Sequence, residues 1–369
     1  MANLSRKPPL PPIDPGAVRR VLVIRPRFVG DLCLTLPVLD HLCRHAPQAE
    51  IDYLTEEPYA ALLAGDPRLA RVRAAARDAS PAGAAALLGG LASGGYDLVL
   101  DLFCNPRTAL WTAATRARVR VGYAGKGWRS SVYNRFPAHE GKSAVRFHLA
   151  SIAALGWATD PAAVPDLRLG AAEVAAARAD LARRGVAAPA GARLVALHPG
   201  ARWPTRQWPP ERYATVARRV VGRDGGVWAL VCHGPGEEAL ARRIVELAGH
   251  PHCVAVGGLG LRELAALLAA CTAFVGPDSG PLHVAVAAGT PAVGIFGRNE
   301  PERFFPYPAA RGHRAAYAGV WCSPCHLDVC PHTSCLAAVT AEWVGSALEE
   351  ILDRPSPWPA AAVPAECTP

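Results

Sequence analysis

No stretch of about 18 apolar residues runs free of glycine, proline or polar breaks, so the sequence offers no membrane-spanning helix. The best candidate, 279–297, carries His283, prolines and glycines, which suit a turn, a helix and a strand. The N-terminal run MANLSRKPPLPPIDPG has proline where an export signal needs an apolar core, which predicts no signal peptide. Charged residues are scarce at 19% against 51% hydrophobic, which excludes an acidic disordered chain and a coiled coil. Acidic residues are the scarcer sign: Lys+Arg 39 against Asp+Glu 31 leaves +8. That excess implies an anionic partner such as a nucleotide, a phosphorylated glycolipid or a membrane surface. The basic residues are scattered rather than interleaved with aromatics and no recognition motif appears, so a non-catalytic nucleic-acid-binding protein is the remote alternative.

What is present is enough chain, 369 residues, for two domains with a core each. After a Pro-rich lead-in at 1–18, expected to be flexible, short apolar runs at 21–24, 49–54, 97–102 and 119–122 alternate with helical stretches. This predicts a parallel sheet flanked by helices. The pattern breaks across 170–192 and restarts with strands at 194–197, 227–232, 253–256, 273–275 and 292–296. We therefore expect an α/β protein with an N-terminal Rossmann-like domain (19–175) and a linker (176–192). A second Rossmann-like domain (193–352) and a disordered tail (353–369) follow. Ligands of such sheets bind beyond the carboxyl ends of the strands.

Four motifs stand at those strand ends. IRPRFVGD (24–31) places Asp31 at the mouth of a helix, where it acts either as a general base or only as an N-cap. HPGARWPTRQWP (198–209) sets Arg202 and Arg206 around Thr205, and arginine forks suit a diphosphate, whereas the alternative is a solvated Pro-stiffened loop. VCHGPGEE (231–238) offers Glu237 or Glu238 to sugar hydroxyls, against the alternative of acids matched to a helix dipole. In FVGPDSGPLHVAVAAGTP (274–291), Ser279 and Gly280 present free backbone N–H groups at a helix start, a ready phosphate site. His283 follows within that first turn. Asp278, Ser279 and His283 crowd one strand end, which structure alone does not explain.

Taken with YDLVLDLFCNPRTAL (96–110) and RVGY (120–123), these segments resemble glycosyltransferase family 9, the ADP-heptose:lipopolysaccharide heptosyltransferases, in order and over roughly residues 21 to 350. The resemblance implies a GT-B fold of two facing Rossmann-like domains. It also implies inverting transfer of heptose from ADP-heptose to the Kdo or heptose of the lipopolysaccharide inner core, without a catalytic metal, by a cytoplasmic enzyme peripheral to the inner membrane. By motif, Asp31 is the base and Arg206 faces the leaving diphosphate. Thr205, Glu237, Asp278, Ser279, Gly280 and His283 hold the donor, and Arg25, Arg27 and Gly30 lie on the acceptor side. A diphosphate leaves without protonation, so one carboxylate suffices, whereas a glycosidase uses two. The alternatives are a family member with another nucleotide-sugar or acceptor, and a GT-B-type nucleotide-sugar epimerase, which needs acids on both sides of the sugar. The sequence departs from the family pattern at 26–29, where Pro-Arg-Phe-Val replaces a small polar loop, and at Pro277.

Of eleven cysteines, six sit singly in apolar surroundings, as buried free thiols do. Cys322, Cys325, Cys330 and Cys335, in the segment 320–336, have spacing that suits structural zinc or an iron–sulfur cluster. Reduced thiols and disulfides are the alternatives. Lying between the last strand and the final helix, the segment is expected to brace that crossing rather than do chemistry.

Overall fold

The computed structural model describes residues 11–139, 141–189, 191–223 and 226–354. The first sheet contains β1 (Arg20–Ile24), β2 (Glu50–Glu56), β3 (Arg71–Ala75), β4 (Leu98–Asp101) and β5 (Val119–Val121). They pair in parallel in the order β3-β2-β1-β4-β5. The second sheet contains β6 (Arg193–Leu197), β7 (Val227–Cys232), β8 (Cys253–Val256), β9 (Ala273–Pro277), β10 (Ala292–Phe296) and β11 (Arg314–Tyr317). Its order is β11-β10-β9-β6-β7-β8, again parallel.

Central strands such as β7, β9 and β10 are buried at every residue because helices cover both faces. The two strands not expected from sequence, β3 and β11, are edge strands with only partial burial. Within 1–18, residues 11–18 are described and tied down: Ile13 N–H donates to the Leu155 carbonyl, and the Trp157 indole donates to the Ile13 carbonyl. The expected linker begins inside a helix, Ala171–Arg183. Of the expected tail, 355–369 lies outside the described residues.

Each sheet reverses its strand order once, between β1 and β4 in the first and between β6 and β9 in the second. Such switch points open a crevice at the strands' carboxyl ends. The segments leaving β1, β6 and β9 are those carrying Asp31, Arg206 and Asp278. The helix Val29–His45 packs against the helix Gly280–Ala287, so the two crevices meet. Closeness there depends on two glycines. A Cβ on Gly30 would lie 2.7 Å from an imidazole carbon of His283, and one on Gly280 would overlap Val29. Away from the cleft, Arg262 joins the halves by donating to the Leu62 carbonyl at 3.0 Å and the Leu167 carbonyl at 3.1 Å. Among the described residues no helix is long and apolar enough to cross a membrane.

Candidate active site

Asp31 lies in the first turn of the helix Val29–His45, whose N-cap is Phe28 without a side-chain cap bond. The capping alternative therefore fails. The Asp31 carboxylate instead accepts from the Arg25 guanidinium at 2.6 Å, while Arg25, buried beneath it, also donates to the Leu102 carbonyl at 2.6 Å. Arg25 fixes the orientation of Asp31, whose side chain remains about one-third exposed (35%) on the cleft wall.

The cleft has a volume of about 690 Å³. On the first domain it is walled by Phe28, Val29, Gly30, Asp31, Leu34 and Tyr59. The facing wall includes Arg202, Arg206, Asp278, Ser279, Gly280 and His283. Of the residues singled out in the sequence, the cleft brings together Gly30, Asp31, Arg206, Asp278, Ser279, Gly280 and His283. Arg206 donates to the Asp278 carbonyl at 2.9 Å and lies 3.4 Å from its carboxylate. Its Nε is buried with no hydrogen-bond partner among the described residues. Asp278 also accepts from Asn299 at 2.5 Å, so this buried acid is occupied in positioning Arg206 and Asn299. Ser279 is the N-cap of the helix Gly280–Ala287 but makes no cap bond, and its buried hydroxyl has no partner among the described residues. Pro281 lacks an N–H, so the first-turn donors come from its neighbours. Burial holds the His283 imidazole below its ordinary range despite Asp278 and Asp31 nearby, so it stays neutral, with Nδ1 3.1 Å from the Tyr307 hydroxyl.

Four assigned residues do not line this cleft, one of them Arg25, which lies beneath Asp31. Thr205 is buried and its hydroxyl donates to the Leu327 carbonyl at 3.0 Å. Arg27 turns toward Glu56, 3.8 Å away, a buried carboxylate also met by Arg77 at 3.2 Å and Arg107 at 3.4 Å. Glu237 accepts from the Gly234 N–H at 2.9 Å and lies 3.5 Å from His198, against Gly200. Glu238 pairs outward with Arg242 at 2.7 Å, so of the two acids it is Glu237 that faces the end of β6.

The cysteine segment has more to do with the cleft than sequence suggested. Cys325 and His326 N–H groups donate to the Arg298 carbonyl at 3.0 and 3.2 Å, and Ser323 donates to the Gly297 carbonyl at 3.1 Å. Buried Arg298 grips Asp328, which lines the cleft, and His326 meets Asn299 at 3.0 Å. The segment therefore backs the Asp278 wall. Cys322, Cys325 and Cys330 are half-buried, Cys335 is buried, and all four are free thiols. Burial, then Cys322 and Cys325, push the Cys335 thiol up. Among the described residues no three His, Cys, Asp or Glu side chains gather to hold a metal ion.

Two parallel α/β sheets that meet at their switch points, with a carboxylate on one wall facing a guanidinium and a helix start on the other, form a two-domain nucleotide-binding type of fold with a candidate site between the halves. The glycosyltransferase family 9 (heptosyltransferase) model matches residues 84–335, and the chain belongs to that family. It is similar to lipopolysaccharide heptosyltransferase 1 of Pseudomonas aeruginosa, 28% identical over 330 residues, covering 85% of this chain and 88% of that protein. Among solved structures, a glycosyl transferase family 9 protein from Veillonella parvula has TM-score 0.78 at 20% identity, covering 92% of this chain and 99% of that one. Escherichia coli heptosyltransferase WaaC with ADP-2-deoxy-2-fluoro heptose has TM-score 0.69 at 23% identity, covering 90% and 99%.

Proposed function

We propose that this enzyme transfers heptose from ADP-heptose, with inversion, to a Kdo or heptose of the lipopolysaccharide inner core. It works in the cytoplasm, at the inner face of the membrane. One observation carries the reading: Asp31 faces Arg206 and the start of the helix Gly280–Ala287 across a single cleft. Asp31 takes the proton of the acceptor hydroxyl, whose oxygen attacks the anomeric carbon as the bond to the diphosphate breaks. ADP leaves with the electron pair, and its charge is met by Arg206 and the N–H groups at Ser279 and Gly280. These groups supply positive charge without a divalent cation, so transfer continues in EDTA. The similarity to lipopolysaccharide heptosyltransferase 1, and to WaaC holding an ADP-heptose analogue, supports donor and acceptor. The +8 charge suits an anionic glycolipid and peripheral contact with an anionic membrane.

The test is to offer ADP-heptose and other nucleotide-sugars with and without a Kdo-bearing lipid A precursor. ADP release that requires the acceptor, with a product of inverted anomeric configuration, is expected. An epimerised donor formed without acceptor, or preference for another nucleotide-sugar, overturns the reading.

A further inference from the structure

Arg202 reaches across the cleft. It stands in the segment leaving β6, and its guanidinium carbon lies 5.1 Å from the ring centre of its neighbour Trp203 and 5.5 Å from that of Phe28, on the opposite wall. All three residues line the cleft, and Phe28 (40%) and Arg202 are exposed at its edge. We propose that Arg202 is a positioning residue: clasped between the two rings, it ties the segment carrying Arg206 to the helix start carrying Asp31 and sets their separation. This rests on the glycosyl-transfer reading above.

The Arg202 side chain makes no ion pair with a described residue, and what holds it is the two rings. A guanidinium lies flat on an aromatic face, is attracted by the ring's negative quadrupole, and keeps its N–H edge in water. At an exposed site such a contact shifts an equilibrium by about two- to fivefold. That is enough to bias the spacing of two walls and little enough to yield when a ligand enters. Arg27 also lies over the Phe28 ring, at 5.9 Å, but it comes from the same wall and is drawn to Glu56. Arg202 brings its cation from the other domain.

Both ends of the clasp are anchored to the groups it positions. Phe28 is the N-cap of the helix Val29–His45, and its carbonyl accepts from the Leu32 N–H at 2.8 Å, so a shift of Phe28 moves the turn that holds Asp31. On the facing wall the Gln207 side chain donates to the Ala201 carbonyl at 2.9 Å, and the Arg206 N–H donates to the Trp203 carbonyl at 2.9 Å. Residues 201–207 therefore move with Arg206. Phe28 belongs to the bulky segment 26–29, where this sequence departs from the family pattern. A displacement of about 1 Å between reacting groups, caused from a distance, can cost about 100-fold in rate.

Hydrogen exchange of the ligand-free protein, read with turnover, tests the clasp in Arg202→Gln, Phe28→Leu, their combination and Phe28→Tyr. Arg202→Gln should speed exchange across the cleft, at amides 29–36, by about threefold, and Phe28→Leu should do the same at 203–207. The double variant should exchange no more than about 1.5-fold faster than either single one, and Phe28→Tyr, which keeps a ring, should exchange as the parent does. Turnover of both single variants should fall by about tenfold at an unchanged KM for the donor. ADP affinity within about twofold of the parent shows that the variants are folded. Faster exchange confined to the substituted side, Phe28→Tyr as fast as Phe28→Leu, or turnover losses that multiply in the double variant overturn the inference. ADP binding weakened more than about fivefold by Arg202→Gln makes Arg202 a diphosphate ligand and overturns it too. The exchange measurements use no substrate, so a parent that transfers no heptose counts against the proposed function and leaves their result standing.

Discussion

Asp31 and Arg206 are assigned opposite tasks on opposite walls, and single substitutions separate them. Asp31→Asn keeps the shape and the neighbouring Arg25 but removes the proton acceptor. Turnover should fall by about 100-fold or more while ADP binds as in the parent. Turnover within about threefold of the parent, measured by ADP release, would sink the base assignment. Arg206→Ala removes charge from the diphosphate side. Calorimetry should show weaker ADP binding with a shallower dependence on salt, because one charged contact is gone. Unchanged affinity would reject Arg206 as a phosphate ligand. The motifs showed these residues by type and position at strand ends. They did not show Asp278 holding Arg206 or Arg27 drawn to Glu56, because each partner comes from a distant segment, nor that Arg25, six residues before Asp31 in the same motif, folds against it.

Strands and helices were legible in proportion to their burial. β1, β6, β7 and β10 are continuous apolar runs, whereas β3 and β11 are half-exposed edges whose sequences, RVRAA and RAAY, carry no such run. β11 nevertheless brings a buried histidine with it. His313, beside the Phe305 and Tyr307 rings, is lowered by burial from 6.5 to about 4. The unfolded chain takes this proton near 6.5 and the folded chain only near 4, so between them acid favours unfolding. The contribution is whole above that window and gone below it. His313→Gln should flatten the fall of stability with pH between about 6.5 and 4 in urea melts, and parallel curves for parent and variant would contradict this.

At the scale of the molecule, the two domains touch where they must also bind. The helices starting at Val29 and Gly280 approach closely because Gly30 and Gly280 have no side chains. Gly280→Ala drives a methyl into Val29, which should cost about 1–3 kcal/mol of stability and reduce turnover by parting the walls. Val29→Ala in the same chain removes the obstructing methyls and should restore most of both. Thermal melts and ADP-release rates check the pair, and a double variant no better than Gly280→Ala would show that the contact does not set the spacing.

By itself the sequence determined two parallel α/β sheets and the strand-end placement of Asp31, Arg206, Asp278, Ser279 and His283. These depend on local runs of apolar residues and on turn chemistry within a few positions. Only the tertiary structure decided which of them share a cleft, that Thr205 and Glu237 bond elsewhere, and that the cysteine segment backs the Asp278 wall. Those outcomes follow from packing between elements tens to hundreds of residues apart. A side chain's partner there is chosen by the competition among all the groups that folding brings within reach.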